Sequence, residues 1–166
     1  MATLIGCGSH ARDILISCPQ RIGAQVGHHS AYEDRGDSVL IGINDPRLRA
    51  KIAEELGKND YDWVHPATTI TDARWGIGTH INAGSVIIRT SIGDHCTISP
   101  GVTICGDVTI GDRVLIGAGA TICDRVTIGS DATIGAGAVV LPETIVPDGE
   151  TWVGVPARRV DRSPAK

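Results

Sequence analysis

The 166 residues carry a formal net charge of −4 and no basic run, which leaves no electrostatic reason to expect nucleic acid or an anionic membrane as a partner. With no phenylalanine and only 3% aromatic residues, the chain is poorly supplied for a helix-packed globule, although its length can bury a sizeable core in one or two domains. No stretch approaches the roughly 20 apolar residues that span a bilayer, so membrane insertion is not expected.

Residues Met1 to Gly8 are short and apolar and lack the charged start, long apolar segment and cleavage site of a signal peptide, which predicts a cytoplasmic protein. Within them Thr3-Leu4-Ile5 reads as a strand, Gly6-Cys7-Gly8-Ser9-His10 as a glycine-rich turn, and Ala11 to Ser17 as the helix that turn opens. The turn lacks the third glycine of the dinucleotide fingerprint, and taken alone it is either a plain tight turn or an anion site made by backbone amides at a helix start. His28 and His29 read as a solvated loop. Ser38 to Ile43 is a second apolar run, closed by Asn44-Asp45-Pro46. Asp45 should cap a helix with Pro46 at its first position, running through Arg47 to Leu56 and stopping at Gly57. Alternating strands and helices over residues 1–65 predict a small, Rossmann-like parallel α/β domain with ligands at the carboxyl ends of its strands.

Beyond His65-Pro66, where the extended backbone before proline marks a junction, the pattern changes. Isoleucine or valine falls every sixth residue from Ile92 through Ile98, Ile104, Ile110, Ile116, Ile122, Ile128 and Ile134 to Val140. That period suits neither a lone helix nor a lone strand. It suits a parallel β-helix with three short strands per coil and one inward aliphatic per strand. Three hexads make a coil, so Ile92, Ile110 and Ile128 should stack in one column, Ile98, Ile116 and Ile134 in a second, and Ile104, Ile122 and Val140 in a third. Trp75, Ile81 and Ile87 keep step ahead of them, but Ile92 arrives one residue early. The residue missing within Ile88-Arg89-Thr90-Ser91 is either a tolerated corner deletion or the mark of a reshaped site.

Five cysteines, Cys7, Cys18, Cys96, Cys105 and Cys123, show no zinc-site spacing. Cys105 and Cys123 should lie one above the other on adjacent coils as a reduced pair.

Taken in order, Leu4 to Arg12, Ile41-Gly42-Ile43-Asn44-Asp45, His65-Pro66-Ala67, the hexapeptide ladder and Val153-Gly154-Val155-Pro156-Ala157-Arg158 resemble the sugar acyltransferases of the sialic-acid O-acetyltransferase and bacillosamine N-acetyltransferase type. The resemblance covers nearly the whole chain. It implies a homotrimer of left-handed β-helices (residues 66–160, with 161–166 a disordered tail) that uses acetyl-CoA on a nucleotide-linked amino sugar in surface-glycan synthesis. By the same resemblance Gly8, Ser9, His10 and Gly42 should hold the nucleotide, and Thr97, Gly106, Ala118 and Ala136 the CoA arm, in a groove between neighbouring helices. For His10 a packing role at the helix start is an equal reading. Thr97 stands where relatives often carry histidine.

Acetyl transfer to an amine needs a base within hydrogen-bond reach and donors for the thioester oxyanion. Relatives supply the base as a histidine followed by an acidic residue, on the corner just before Ile92. Here that histidine is absent. The base has moved to His95 or His80, or the bound substrate loses its proton to water, or the site is dead and the protein is a trimeric scaffold or nucleotide-sugar-binding protein. Carbonic anhydrases on the same helix need three zinc histidines, and the ladder holds only His80 and His95.

Overall fold

Each hexad forms a strand of two or three residues in which a β-branched side chain faces inward, the environment these residues favour. In the computed structural model, which describes residues 3–5, 38–41, 43–57, 59–60 and 62–160, the strands of successive coils pair in parallel into three sheets of six, five and five strands, the first extended to seven by one antiparallel strand. The result is a parallel β-solenoid. Its register is the one the period predicts: Ile92, Ile110 and Ile128 are direct partners, as are Ile98, Ile116 and Ile134 and Ile104, Ile122 and Val140. Trp75, Ile81 and Ile87 extend the same columns. Nearly all of these side chains are fully buried, with Val102, Val114, Val126 and Ala120 filling the space between columns.

Side chains also join coil to coil along the outside. Asp94 N–H donates to Asp112 Oδ1 at 2.9 Å, Asp112 N–H to Ser130 Oγ at 3.1 Å, and Ser130 N–H to Asp148 Oδ1 at 2.8 Å. The side chain that accepts lies directly over the glycine of the coil before. A Cβ added to Gly93 would stand 2.2 Å from Asp112 Oδ1, which explains the recurrent Ile-Gly-Asp.

Three corners separate the sheets, and each turns through a residue of positive φ. One corner is all glycine: Gly84, Gly101, Gly119 and Gly137. The second runs Asp72, Arg89, Asp107, Arg125, Glu143, so charges alternate from coil to coil. The third runs Gly78, His95, Arg113, Asp131, Gly149. The early arrival of Ile92 falls on the second corner. Arg89 makes that turn at φ 41°, with Ile88 alone between it and the inward Ile87, where the next coil uses both Cys105 and Gly106 ahead of Asp107. Arg89 N–H still donates to Thr71 O, and Asp107 N–H to Arg89 O, both at 2.9 Å. The shortened corner therefore leaves the ladder intact.

Ahead of the solenoid, Thr3–Ile5, Ser38–Ile41 and Asn59–Asp60 form a three-stranded parallel sheet with the middle strand in the centre. Helix α1 (Pro46–Leu56) joins the last two. It is built as its sequence predicts: the Asp45 carboxylate accepts from Arg47 N–H and Leu48 N–H, and Gly57 ends it at φ 59°. The first solenoid strand is Trp63–Val64, paired with His80–Ile81, so the β-helix ladder opens just before His65-Pro66. The glycine turn with Gly8, Ser9 and His10, the helix read at residues 11–17, Gly42 and the tail 161–166 lie outside the described residues. At the far end Trp152 pairs with Ile134 over the last coil, and Arg158–Arg159 folds back antiparallel on Thr151–Val153.

Candidate active site

At the charged corner Arg89 Nε lies 3.2 Å from Asp107 Oδ1 and Nη2 lies 3.4 Å from Oδ2. The hydrogen bond and charge of Asp107 raise the Arg89 pKa above its ordinary value, so the guanidinium is a permanent cation and no acceptor of protons. It lies over Gly106, where an added Cβ would come within 2.3 Å of Arg89 Nη2. Gly106 N–H is itself directed to Asp124 Oδ1 at 3.0 Å. Around the pair opens a cavity of about 470 Å³, lined also by Asp72, Arg74, Ser91 and Thr109. Arg74 Nε donates to Ser91 Oγ at 3.0 Å.

His95 sits on a different corner, at the opposite end of the strand Thr90–Ile92 from Arg89. Burial and the Arg49 charge lower its pKa, against the opposing pull of Asp94. Its imidazole is therefore neutral at physiological pH, but it does not face the charged-corner cavity. His80 is fully buried in the strand below Thr97.

Thr97 is fully buried as well. Its hydroxyl accepts from Arg49 Nη1 at 2.9 Å and donates to Asn44 O at 3.0 Å. Thr97 thus fastens the segment before α1 to the solenoid and offers no free hydroxyl to a ligand groove. The organising residue here is Arg49, which the sequence reading passed over: from α1 its buried guanidinium also donates to the carbonyls of Ile43, Gly78, His95 and Cys96 at 2.8–3.0 Å.

The remaining expected CoA positions divide. Ala118 and Ala136 are both exposed beside Gly119 and Gly137, with Gly137 N–H donating to Ala118 O at 2.9 Å, so they form one smooth edge free of larger side chains. Gly106 is on the charged corner and buried. Within one protomer the two groups belong to different edges.

Cys105 and Cys123 stack on adjacent coils, as the eighteen-residue spacing predicts, and both are free. Burial, Asp124 and Cys123 raise the Cys105 thiol, and burial pushes Cys96 up to about 12, so neither is an activated nucleophile. No group of three or more His, Cys, Asp or Glu among the described residues is placed to hold a metal ion. Among those residues no helix is long and apolar enough to cross a membrane.

The coil repeat defines a parallel β-solenoid built from hexapeptide units. The bacterial transferase hexapeptide family (six repeats) matches residues 89–124 and 107–142. More particularly, nearly the whole chain shares its fold with sugar acetyltransferases that hold CoA. A histidine-to-asparagine form of perosamine N-acetyltransferase from Caulobacter crescentus, solved with CoA and GDP-perosamine, is 26% identical over 96% of each chain with a TM-score of 0.71. The acetyltransferase domain of PglB from Neisseria gonorrhoeae is 23% identical over 96% of this chain and 98% of that one, TM-score 0.73, and supports the fold. A hexapeptide-repeat acetyltransferase from Vibrio cholerae, complexed with acetyl coenzyme A, is 28% identical over 63% of this chain and 69% of its own, TM-score 0.55. Among curated proteins no sequence matches significantly.

Proposed function

We propose that the protein is an acetyl-CoA-dependent acetyltransferase acting on an amino group of a nucleotide-linked sugar, working as a homotrimer of left-handed β-helices. The observation that carries this reading is the shared fold, across 96% of both chains at 26% identity, with an N-acetyltransferase that holds CoA and GDP-perosamine. The surface supports it. Ala118 and Ala136, exposed beside Cβ-free corner residues, leave room for an extended pantetheine arm, whereas Thr97, closed off by Arg49 and Asn44, does not fit such a role. Convergence of the alanine edge with Gly106 on the charged corner requires a neighbouring helix, in keeping with a groove shared between protomers. Gly8, Ser9, His10 and Gly42 remain the residues proposed for the nucleotide, with the carboxyl ends of the N-terminal strands as their setting. Surface-glycan synthesis in the cytoplasm is the setting proposed for the reaction.

Calorimetric titration of acetyl-CoA, followed by thiol-release assays with GDP-perosamine and UDP-linked amino sugars, tests the reading. Binding together with thiol release on one sugar is the expected outcome. Absence of acetyl-CoA binding would instead favour the scaffold.

A further inference from the structure

The acceptor amine must lose a proton during transfer, and neither His80 nor His95 lines the charged-corner cavity of its own protomer. His80 is fully buried and His95 turns a separate corner. The cavity at the shortened corner, about 470 Å³ against about 230 Å³ for the one between the start of α1 and Arg113, is where polar groups converge. Within it only carboxylates can accept a proton from an amine, because both guanidiniums are permanently charged. Asp107 is the carboxylate that the shortened corner fixes in place. Arg89, held at its turn by ladder bonds on both sides, engages both Asp107 oxygens from the coil before. A carboxylate has about four acceptor sites, so this pairing leaves lone pairs toward the cavity that Asp107 lines. Gly106, next to it, has no side chain to exclude the guanidinium.

Resting on the acetyltransferase reading above, we propose that Asp107 is the proton acceptor of this enzyme, positioned by Arg89. The free amine attacks the thioester carbonyl carbon, forming the C–N bond as the carbonyl electron pair moves to oxygen. The nitrogen then gives its proton to an Asp107 oxygen. As the carbonyl re-forms, the C–S bond breaks, and the departing thiolate takes that proton from Asp107. The products are the amide and CoA thiol, with the carboxylate regenerated. The charged groups that line the cavity with Asp107 are Arg89, Asp72 and Arg74, all from earlier coils, and Asp124 of the next coil adds its charge at Arg89.

The test compares wild type with Asp107→Asn and Asp107→Gly by thiol release, using GDP-perosamine and UDP-linked amino sugars as acceptors. Both replacements tolerate the positive φ at this corner, and melting and acetyl-CoA titration verify that fold and donor site persist. Removal of general-base help is expected to lower kcat by about 10²- to 10⁴-fold, and added formate is expected to restore part of the rate to Asp107→Gly. Arg89→Lys is expected to lower kcat with little change in acetyl-CoA affinity. An active wild type with Asp107→Asn within threefold of it, or an Asp107→Gly loss that formate does not relieve, overturns the assignment alone. A wild type that binds no acetyl-CoA and releases no thiol overturns the acetyltransferase reading and this assignment together.

Discussion

Arg49 Nη1 and Thr97 Oγ1 meet at 2.9 Å across 48 residues of chain, and this contact fixes α1 to the solenoid. The guanidinium is fully buried and donates to backbone carbonyls of two successive solenoid segments, Gly78 and His95–Cys96, of which Cys96 O also accepts from His80 N–H at 2.8 Å. Replacing it with an apolar side chain of similar length would take the donor from the Gly78 and His95 carbonyls, at about 1–3 kcal/mol for each group left unsatisfied. Arg49→Met is therefore expected to lower the unfolding free energy measured by denaturant titration by several kcal/mol, and Thr97→Val by roughly 1–3 kcal/mol. Wild-type stability in Arg49→Met would show that α1 is not docked in solution.

His95 provides a pH signature. Its folded-state pKa lies below the ordinary value of 6.5, first through burial and then through the Arg49 charge. Below 6.5 the unfolded chain therefore binds a proton that the folded one resists, and stability falls as pH drops from 6.5 toward the depressed folded value. Asp94 and Asp112 oppose the shift, and Arg113 reinforces it. Chemical denaturation from pH 7.5 to 5.5 is expected to show a loss of stability that His95→Asn reduces. The same variant is expected to retain turnover within tenfold; a loss above a hundredfold at unchanged acetyl-CoA affinity would return His95 to the role of base.

The solenoid was readable because a stacked architecture writes its contacts at fixed offsets. Inward positions recur every six residues, coil neighbours every eighteen, and the observed partners of Ile110 and Ile122 follow from that counting alone. The outer ion pairs obey the same rule: Arg113 with Asp131 and Arg125 with Glu143 stand eighteen apart, a signal available in the sequence but not used. The location of the missing residue was also legible, whereas its consequence was not, since the cavity depends on where Arg89 turns its side chain. The burial of Thr97 was not legible for a related reason. A position outside the inward column looks like surface until a helix covers it, and Arg49 gave only an indirect sign by sharing the helical stripe of Ile52 and Ala53.

Glycine in Ile-Gly-Asp is a packing requirement before it is a conformational one. At Gly111 a Cβ would lie 2.6 Å from both Ser130 N and Ser130 Oγ, and the backbone nitrogen cannot swing away. Gly111→Ala is expected to cost about 1–3 kcal/mol, the range for overpacking a well-packed site. Gly119→Ala meets nothing within 4 Å, so its cost is confined to the positive φ of that corner and should be about 1–2 kcal/mol. Asparagine tolerates positive φ, so Gly119→Asn is expected to recover most of the Gly119→Ala loss, and a melting point no higher than that of Gly119→Ala would contradict this division between contact and backbone strain.

Ile110 tests the register directly. It is 3% exposed and lies between Ile92 and Ile128 in the third sheet. An aspartate there would have to bury a carboxylate among aliphatic side chains with no cation in the column. The desolvation cost of several kcal/mol per ion is a large part of the 5–15 kcal/mol that holds a typical domain together. Ile110→Asp is expected to yield no folded protein, while Ile110→Val, which removes one methyl group from the same place, is expected to cost about 0.5–1.5 kcal/mol. The pair separates burial from mere sensitivity. If the side chain faced solvent, both variants would melt like wild type, and the ordering Asp far below Val just below wild type is reached only if residue 110 points into the column.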